Sequence, residues 1–385
     1  MSAKEALATQ ASSGLPISRS VRSKSGRHAG LSGIHQPPGS TRRGSARPML
    51  LPVTRPRNLE LRAWCLRRPQ SGTVVVVIAD DRQQHEREDQ AVQVARHRLH
   101  VTSWNGAEES GRPPFVMLHG LAGCAVQWEL VGGELARRCS AHALAVDLPG
   151  YGDSRSIGAP LSIDGHARVV AELLAGSDPA VLVGNSMGGA IAARVAASRP
   201  ELVRGLVLVS SALPLPFAPA YPQPVFAIRH AAAMLPFIGP ALLAFYALAV
   251  SPHGIVTERM NTALAYPDQL DPYVKERLVD VARDRERYIH RAAETYSASV
   301  RSLFAYLGSP RGMVADIARI ACPALVIHGS LDRLIPVKQA RRLADTRPDW
   351  RLEVYDDCGH VPQLEQPARF VDSLCAFAVS LYAGR

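Results

Sequence analysis

The 385-residue chain has no C-x-x-C pair, and no two of its six cysteines (Cys65, Cys124, Cys139, Cys322, Cys358 and Cys375) stand at a metal-ligand spacing. Zinc and a disulfide framework are therefore not expected, and buried reduced thiols in a reducing, cytoplasmic compartment are. Lysine is nearly absent, at four residues against forty arginines, which reads as the coding bias of a GC-rich genome. The formal charge of +10 has no counterpart in the part expected to fold. Residues 1–70 hold thirteen Lys/Arg and two Asp/Glu, leaving 31 basic and 32 acidic residues for the rest. A nucleic-acid groove in the folded part is thereby excluded as an expectation. No nucleotide or metal signature appears, so no cofactor is expected. The N-terminus lacks the continuous apolar core of a secretory signal. Residues 231–250 carry no charge, but Pro236, Gly239 and Pro240 interrupt them, so two short buried helices are expected rather than a membrane span.

What is present begins with a tail. Residues 1–58 are rich in Ser, Gly, Pro and Arg without apolar periodicity, and residues 1–90 as a whole read as a disordered basic extension. Its role stays open between a plain tail, a transit segment and an over-long reading frame. Thr73–Ile78 could pair as a strand but is isolated by the polar run that follows. Order is expected from about Ala95, with His97–Trp104 as an antiparallel edge strand.

From there short apolar strands alternate with amphipathic helices. Phe115–Leu118, residues 143–146, the run ending at Gly184, residues 206–209, residues 324–327 and residues 351–355 are the strands. Such alternation makes βαβ units and a parallel sheet whose ligands sit past the carboxyl ends of the strands. The pattern breaks over residues 213–314, where prolines and then apolar and charged helices (one spanning about 273–297) suggest a helical insertion. The domain reading is a core of residues 91–212 and 315–385, with an inserted cap of residues 213–314.

The most informative stretch is Val181-Leu182-Val183-Gly184-Asn185-Ser186-Met187-Gly188-Gly189. A β-branched run, a sharp turn with serine at its apex and a small-residue helix match the G-x-S-x-G pattern. Small neighbours leave room for a serine lifted off a strand on a strained backbone. A serine hydroxyl is a poor nucleophile without a base. His360 follows the last strand, and Asp332 follows the one before it, where it could orient that imidazole. The order Ser186, Asp332, His360, each past a strand end, points to nucleophilic catalysis. The backbone N–H groups of Leu121, after His119-Gly120, and of Met187 are the candidate oxyanion hole. His119, Asp147, Asp153 and Ser154 are expected to scaffold loops.

Over residues 95–382 the chain resembles the α/β-hydrolase superfamily, on His119-Gly120, Asp147-Leu148-Pro149-Gly150-Tyr151-Gly152-Asp153-Ser154, Gly184 to Gly189, Gly329 to Pro336 and Gly359-His360. The resemblance implies an α/β fold with an eight-stranded, mostly parallel sheet and a helical cap after the sixth strand. The Gly-Asn-Ser-Met-Gly-Gly elbow is similar to that of meta-cleavage-product hydrolases. A shorter oxyanion loop and Val361, where those enzymes tend to have tryptophan, depart from them. Serine at 186 sets the chain apart from the dehalogenase and epoxide-hydrolase branches, which use aspartate there. The expected activity is hydrolysis of an ester, thioester or lactone through an acyl-enzyme on Ser186. Carbon–carbon bond hydrolysis is the alternative, and a ligand-binding protein on the same fold the alternative of another class. Leu213, Leu215, Phe217, Phe226, Met234, Leu235, Phe237, Ile238 and Phe245 are the candidate cap core or pocket, implying a hydrophobic small-molecule substrate with few polar anchors. Nothing in the sequence sets an oligomeric state.

Overall fold

The computed structural model describes residues 87–106, 111–155, 162–212, 224–309 and 311–382. Eight strands form one sheet: β1 Arg87–Val94, β2 His97–Trp104, β3 Phe115–Leu118, β4 Ala143–Val146, β5 Ala180–Asn185, β6 Val203–Val209, β7 Ala324–Gly329 and β8 Arg351–Tyr355. Their order is β1-β2-β4-β3-β5-β6-β7-β8. β1 and β2 are antiparallel to each other, β2 is antiparallel to β4, and the rest are parallel. The helices are α1 Glu129–Cys139, α2 Ile163–Leu174, α3 Met187–Ser198, α4 Pro224–Met234, α5 Ile238–Ala249, α6 Pro252–Ala263, α7 Pro272–Arg285, α8 Ile289–Gly308, α9 Met313–Arg319, α10 Lys338–Thr346, α11 Pro362–Glu365 and α12 Pro367–Tyr382.

The central strands are buried on both faces, which is why they read as unbroken apolar runs. Leu182 of β5, Leu206 and Leu208 of β6, and Val116 and Leu118 of β3 face a layer supplied by α2, α3 and α9. Their neighbours Val181, Val183, Val207, Val209, Phe115 and Met117 face α1 and α12. This period of two, with helices on either side, holds the carboxyl ends of β3, β5, β7 and β8 along one edge.

Order begins earlier than expected. β1 occupies Arg87–Val94, beginning inside the stretch read as disordered and ahead of Ala95, and so β2 is an inner strand rather than the edge. The sequence Arg-Glu-Asp-Gln-Ala-Val-Gln-Val is mostly polar because an edge strand needs only a few inward side chains, here Val92 and Val94. Residues 1–86, including Thr73–Ile78, lie outside the described residues. A chain starting at Arg87 is expected to keep the melting temperature of the full chain. One starting at Ala95 loses β1 and should melt roughly 5–10 °C lower, since two buried valines alone carry about 3 kcal/mol. Thermal unfolding of the two truncations checks this.

Between β6 and β7 come α4 to α9, so an insertion follows the sixth strand as expected. The apolar stretch 231–250 does break into two helices, α4 and α5. Among the described residues no single helix is long and apolar enough to cross a membrane, although α5 and α6, bent by 110°, pass such a test as a pair. The two helices are not buried as expected. Phe237 is 94% exposed and Phe245 73%, and Met234, Leu235 and Ile238 are exposed as well. Helix α5 is apolar all round, so its sequence does not say which face packs; Leu243 and Ala244 do. Leu213, Leu215 and Phe217 lie outside the described residues. The charged helix expected over 273–297 is two, α7 and α8, parted at residues 286–288.

Cys139 and Cys375 form a disulfide, contrary to expectation, with Cα atoms 5.7 Å apart and a sequence separation of 236. No local spacing announces it, because it forms only where the end of α1 meets α12. It removes the cysteine argument for a reducing compartment.

Candidate active site

Ser186 sits at φ 54° and ψ −116°, between β5 and α3. A non-glycine residue is held in that left-handed region only when its surroundings over-determine it. They do so here. Its N–H donates to Val209 O at 3.0 Å, and its C=O accepts from Gly189 N at 3.0 Å and Ala212 N at 3.2 Å. A Cβ on Gly184 would lie 2.3 Å from Gly188 O, and one on Gly188 2.2 Å from Leu118 O, so both glycines are sterically required. The hydroxyl of Ser186 makes no capping hydrogen bond to α3. It stands at the helix N-terminus, where the first N–H groups, that of Met187 included, have no intrahelical partner.

The His119-Gly120-Leu121 loop lies against this elbow. A Cβ on Gly120 would come within 3.1 Å of Ser186 Cβ and 3.2 Å of Asn185 Oδ1. His119 proves to be a brace. Its Nε2 accepts from Leu148 N at 3.0 Å, which leaves Nδ1 as the donor to Gly120 O at 2.7 Å. Full burial holds its pKa below the usual value and keeps the ring neutral.

His360 and Asp332 meet, as their chain order led one to expect. His360 Nδ1 lies 2.8 Å from Asp332 Oδ2, and both residues are buried. Asp332 also shapes its own turn, with Oδ1 accepting from Leu334 N at 2.8 Å and Ile335 N at 2.9 Å. Burial opposes its ionisation, but the facing His360 and hydrogen bonds from His328 and His360 outweigh it and hold its carboxyl below the carboxylate range. Asn185 ties the elbow to this pair, donating from Nδ2 to His360 O at 3.1 Å and to Val209 O at 3.2 Å. Sequence reasoning missed Asn185 and His328. His328 Nε2 lies 2.8 Å from Ile335 O and 3.3 Å from Asp332 Oδ2, a contact that a histidine four residues before an aspartate at a strand end could have signalled.

Asp147, Asp153 and Ser154 scaffold loops, as expected. Asp147 Oδ1 accepts from Ala125 N at 2.6 Å and Oδ2 from Asp153 N at 2.9 Å, while Ser154 Oγ donates to Asp147 O at 2.6 Å. Unforeseen is His100, whose Nδ1 lies 2.9 Å from Asp147 Oδ2 and Nε2 3.3 Å from Asp89 Oδ1. The donor atoms of His100, Asp147 and Asp153 approach within 4.8 Å of one another, but the closest of these contacts are already ion pairs and N–H bonds. Burial disfavours the imidazolium, yet hydrogen bonds and charge from Asp147 and Asp89 push its pKa up to about 10. A group raised in the folded state stabilises fully below its unfolded value and loses that contribution as pH rises through about 10. The stability gap between the native chain and His100→Gln should therefore shrink from pH 7 to pH 10, by on the order of 2 kcal/mol after screening. Urea unfolding at the two pH values measures it.

Beside the His119-Gly120-Leu121 loop the insertion encloses a cavity of about 690 Å³ including its mouth. Ala122, Leu243, Ala247, Ile255, Ala282 and Ile289 supply its apolar lining. Three arginines also line it. Arg229 is paired with Glu258 at 2.9 Å. Arg259 and Arg285, among the described residues, have neither a carboxylate nor a hydrogen-bond partner. The lining carboxylate, Glu286, is exposed and pairs with neither. Burial first and Arg285 second draw the pKa of Arg259 down to about 10, still cationic at neutral pH. The charges of both arginines act on His119 and Cys124, lowering the pKa of each.

Residues 115–373 match the profile of the alpha/beta hydrolase family. The chain belongs to that family. It is 30% identical over 273 residues to a pimeloyl-[acyl-carrier protein] methyl ester esterase of Klebsiella pneumoniae, covering 69% of this chain and 93% of the relative. It is 33% identical over 282 residues to a 2-hydroxymuconate semialdehyde hydrolase of a Pseudomonas species, covering 67% and 83%. Among solved structures, the 2-hydroxy-6-oxo-6-phenylhexa-2,4-dienoate hydrolase of a Rhodococcus species superposes with a TM-score of 0.58 at 24% identity, over 78% of this chain and 98% of that one. That likeness concerns the fold. Family and relatives support hydrolysis as the reaction class.

Proposed function

We propose that this hydrolase cleaves an ester, thioester or lactone of a small acid that is apolar along its length and anionic at its far end. In this reading Ser186 is the nucleophile, His360 the base and Asp332 the group that orients it. Ser186 Oγ bonds to the carbonyl carbon while its proton passes to His360 Nε2. The oxygen that gains the electron pair is taken by the N–H groups of Leu121 and Met187. Collapse expels the alcohol or thiol, which leaves with the proton from His360, and water repeats the sequence to release the acid. The strained elbow at Ser186 and the 2.8 Å contact of His360 with Asp332 support these roles.

The observation that carries the substrate class is the pair Arg259 and Arg285, without a partner among the described residues, in a largely apolar cavity beside Ala122 that Arg229 and Glu286 also line. Two cations held together without a counter-ion repel each other and lack the hydrogen bonds that a carboxylate supplies. A bound anion offsets both costs. In this reading the cap offers a charged anchor, beyond the apolar pocket with few polar anchors expected from its sequence. The test is a pair of p-nitrophenyl esters of equal chain length, one with a terminal methyl and one with a terminal carboxylate. The carboxylate should be preferred in kcat/KM by about 10²-fold, on charge-assisted bonds of roughly 1.5–3 kcal/mol each. A preference for the methyl-ended ester would defeat the reading.

A second reading, carbon–carbon bond hydrolysis of an oxo acid on the same serine, is favoured by the 33% identity to the semialdehyde hydrolase. The same arginines would hold the acid's carboxylate. Turnover of a dienoate without ester cleavage would select it.

A further inference from the structure

We propose that Glu365 is a positioning residue that clamps the His360 loop to the end of α6, so that an anion bound at Arg259 acts on the imidazole through that helix. This rests on the reading of His360 as the base. One carboxylate does the clamping. Glu365 Oε2 accepts from Gly359 N at 2.9 Å and from Ala265 N at 2.7 Å, and Oε1 accepts from Val361 N at 3.2 Å. It therefore holds both residues flanking His360 and, with the same oxygen, the chain just past α6.

The histidine's own backbone completes the junction. His360 N donates to Ala263 O, the last residue of α6, at 2.7 Å, while His360 O is held by Asn185 beside the nucleophile. The approach is close enough to require a glycine: a Cβ on Gly359 would stand 2.6 Å from Ala265 N and 2.7 Å from Ala263 O. The loop cannot shift without moving residues 263–265, nor they without the loop. Arg259 lies on the same helix, one turn before Ala263, and lines the cavity. A helix is stiff over one turn, so a pull on Arg259 is delivered at Ala263 and hence at His360 N. The inserted helices pack onto this loop with an apolar contact as well, where Met260 and Leu264 share a cluster with Val361 and Leu364.

Glu365→Gln keeps the shape but turns one acceptor into a donor, so one of the three N–H groups loses its partner. A misplaced general base costs rate rather than ground-state binding. In the native enzyme the ester ending in carboxylate should exceed its methyl-ended partner in kcat as well as in 1/KM. In Glu365→Gln we expect kcat for the carboxylate ester to fall roughly 10–100-fold to the level of the neutral ester, whose kcat changes several-fold less, while KM for both holds. Circular dichroism and melting temperature report whether the variant is folded, and Glu365→Asp, with a shorter reach, serves as a second variant that should show the same loss of substrate discrimination in kcat. An equal loss of kcat on both esters means that Glu365 is merely structural and overturns the proposal. So does unchanged kcat. Fluorophosphonate labelling of Ser186 in the native enzyme is run beside it: labelling with no Glu365 effect sinks this proposal alone, and no labelling sinks the base reading with it.

Discussion

Replacing Ser186 by alanine is expected to lower ester turnover by about 10⁶-fold and to abolish covalent labelling by a fluorophosphonate. The probe needs an activated hydroxyl and an oxyanion hole together, so labelling reports both. His360→Ala should cost nearly as much, because nucleophile and base act as a unit, and the double variant should be little worse than either. Asp332→Asn is expected to cost about 10⁴-fold, since an amide facing Nδ1 favours the wrong tautomer. Its Oδ1 would still hold the turn at Leu334 and Ile335, so the fold should survive. Ser186→Ala that turns over at the native rate would remove the nucleophile assignment and bring a non-catalytic binder on the same fold to the front.

Arg259→Met and Arg285→Met should each lower kcat/KM for the carboxylate-ended ester by about 10–100-fold and leave the methyl-ended ester within a few-fold. Methionine keeps the apolar stem and removes the charge. Stability should move the other way. Among the described residues neither guanidinium is paired with a carboxylate, and Arg285 lowers the pKa of Arg259, so removing either relieves repulsion. A variant that melts a few degrees higher while losing its anionic substrate is the signature of a binding group held at a structural cost. If both esters suffer equally, or the melting temperature drops, the arginines serve packing instead.

The core was legible because its determinants are local. Strands buried on two faces must be apolar, so β3 to β7 stand out as runs. The elbow follows from glycine spacing, since Gly184 and Gly188 touch backbone where no Cβ fits. Asp332 and His360 were found by their place after strand ends, because a parallel sheet sends those ends to one edge. What failed was equally physical. β1 is half polar because it is an edge, and a polar strand leaves no apolar run to read. The cap's pocket was sought among its phenylalanines, of which Phe237 and Phe245 face outward.

By itself, then, the sequence determined the mostly parallel sheet, the strained turn at Ser186 and the placing of Asp332 and His360 after strand ends, all set by period and by short-range sterics. Tertiary structure alone decided the joins between elements far apart in the chain. It brought Cys139 to Cys375, placed Arg259 and Arg285 in one cavity with no paired carboxylate among the described residues, and set Glu365 between the histidine loop and α6. Charge, pairing and reach at those places depend on which faces meet, and facing is a property of packing.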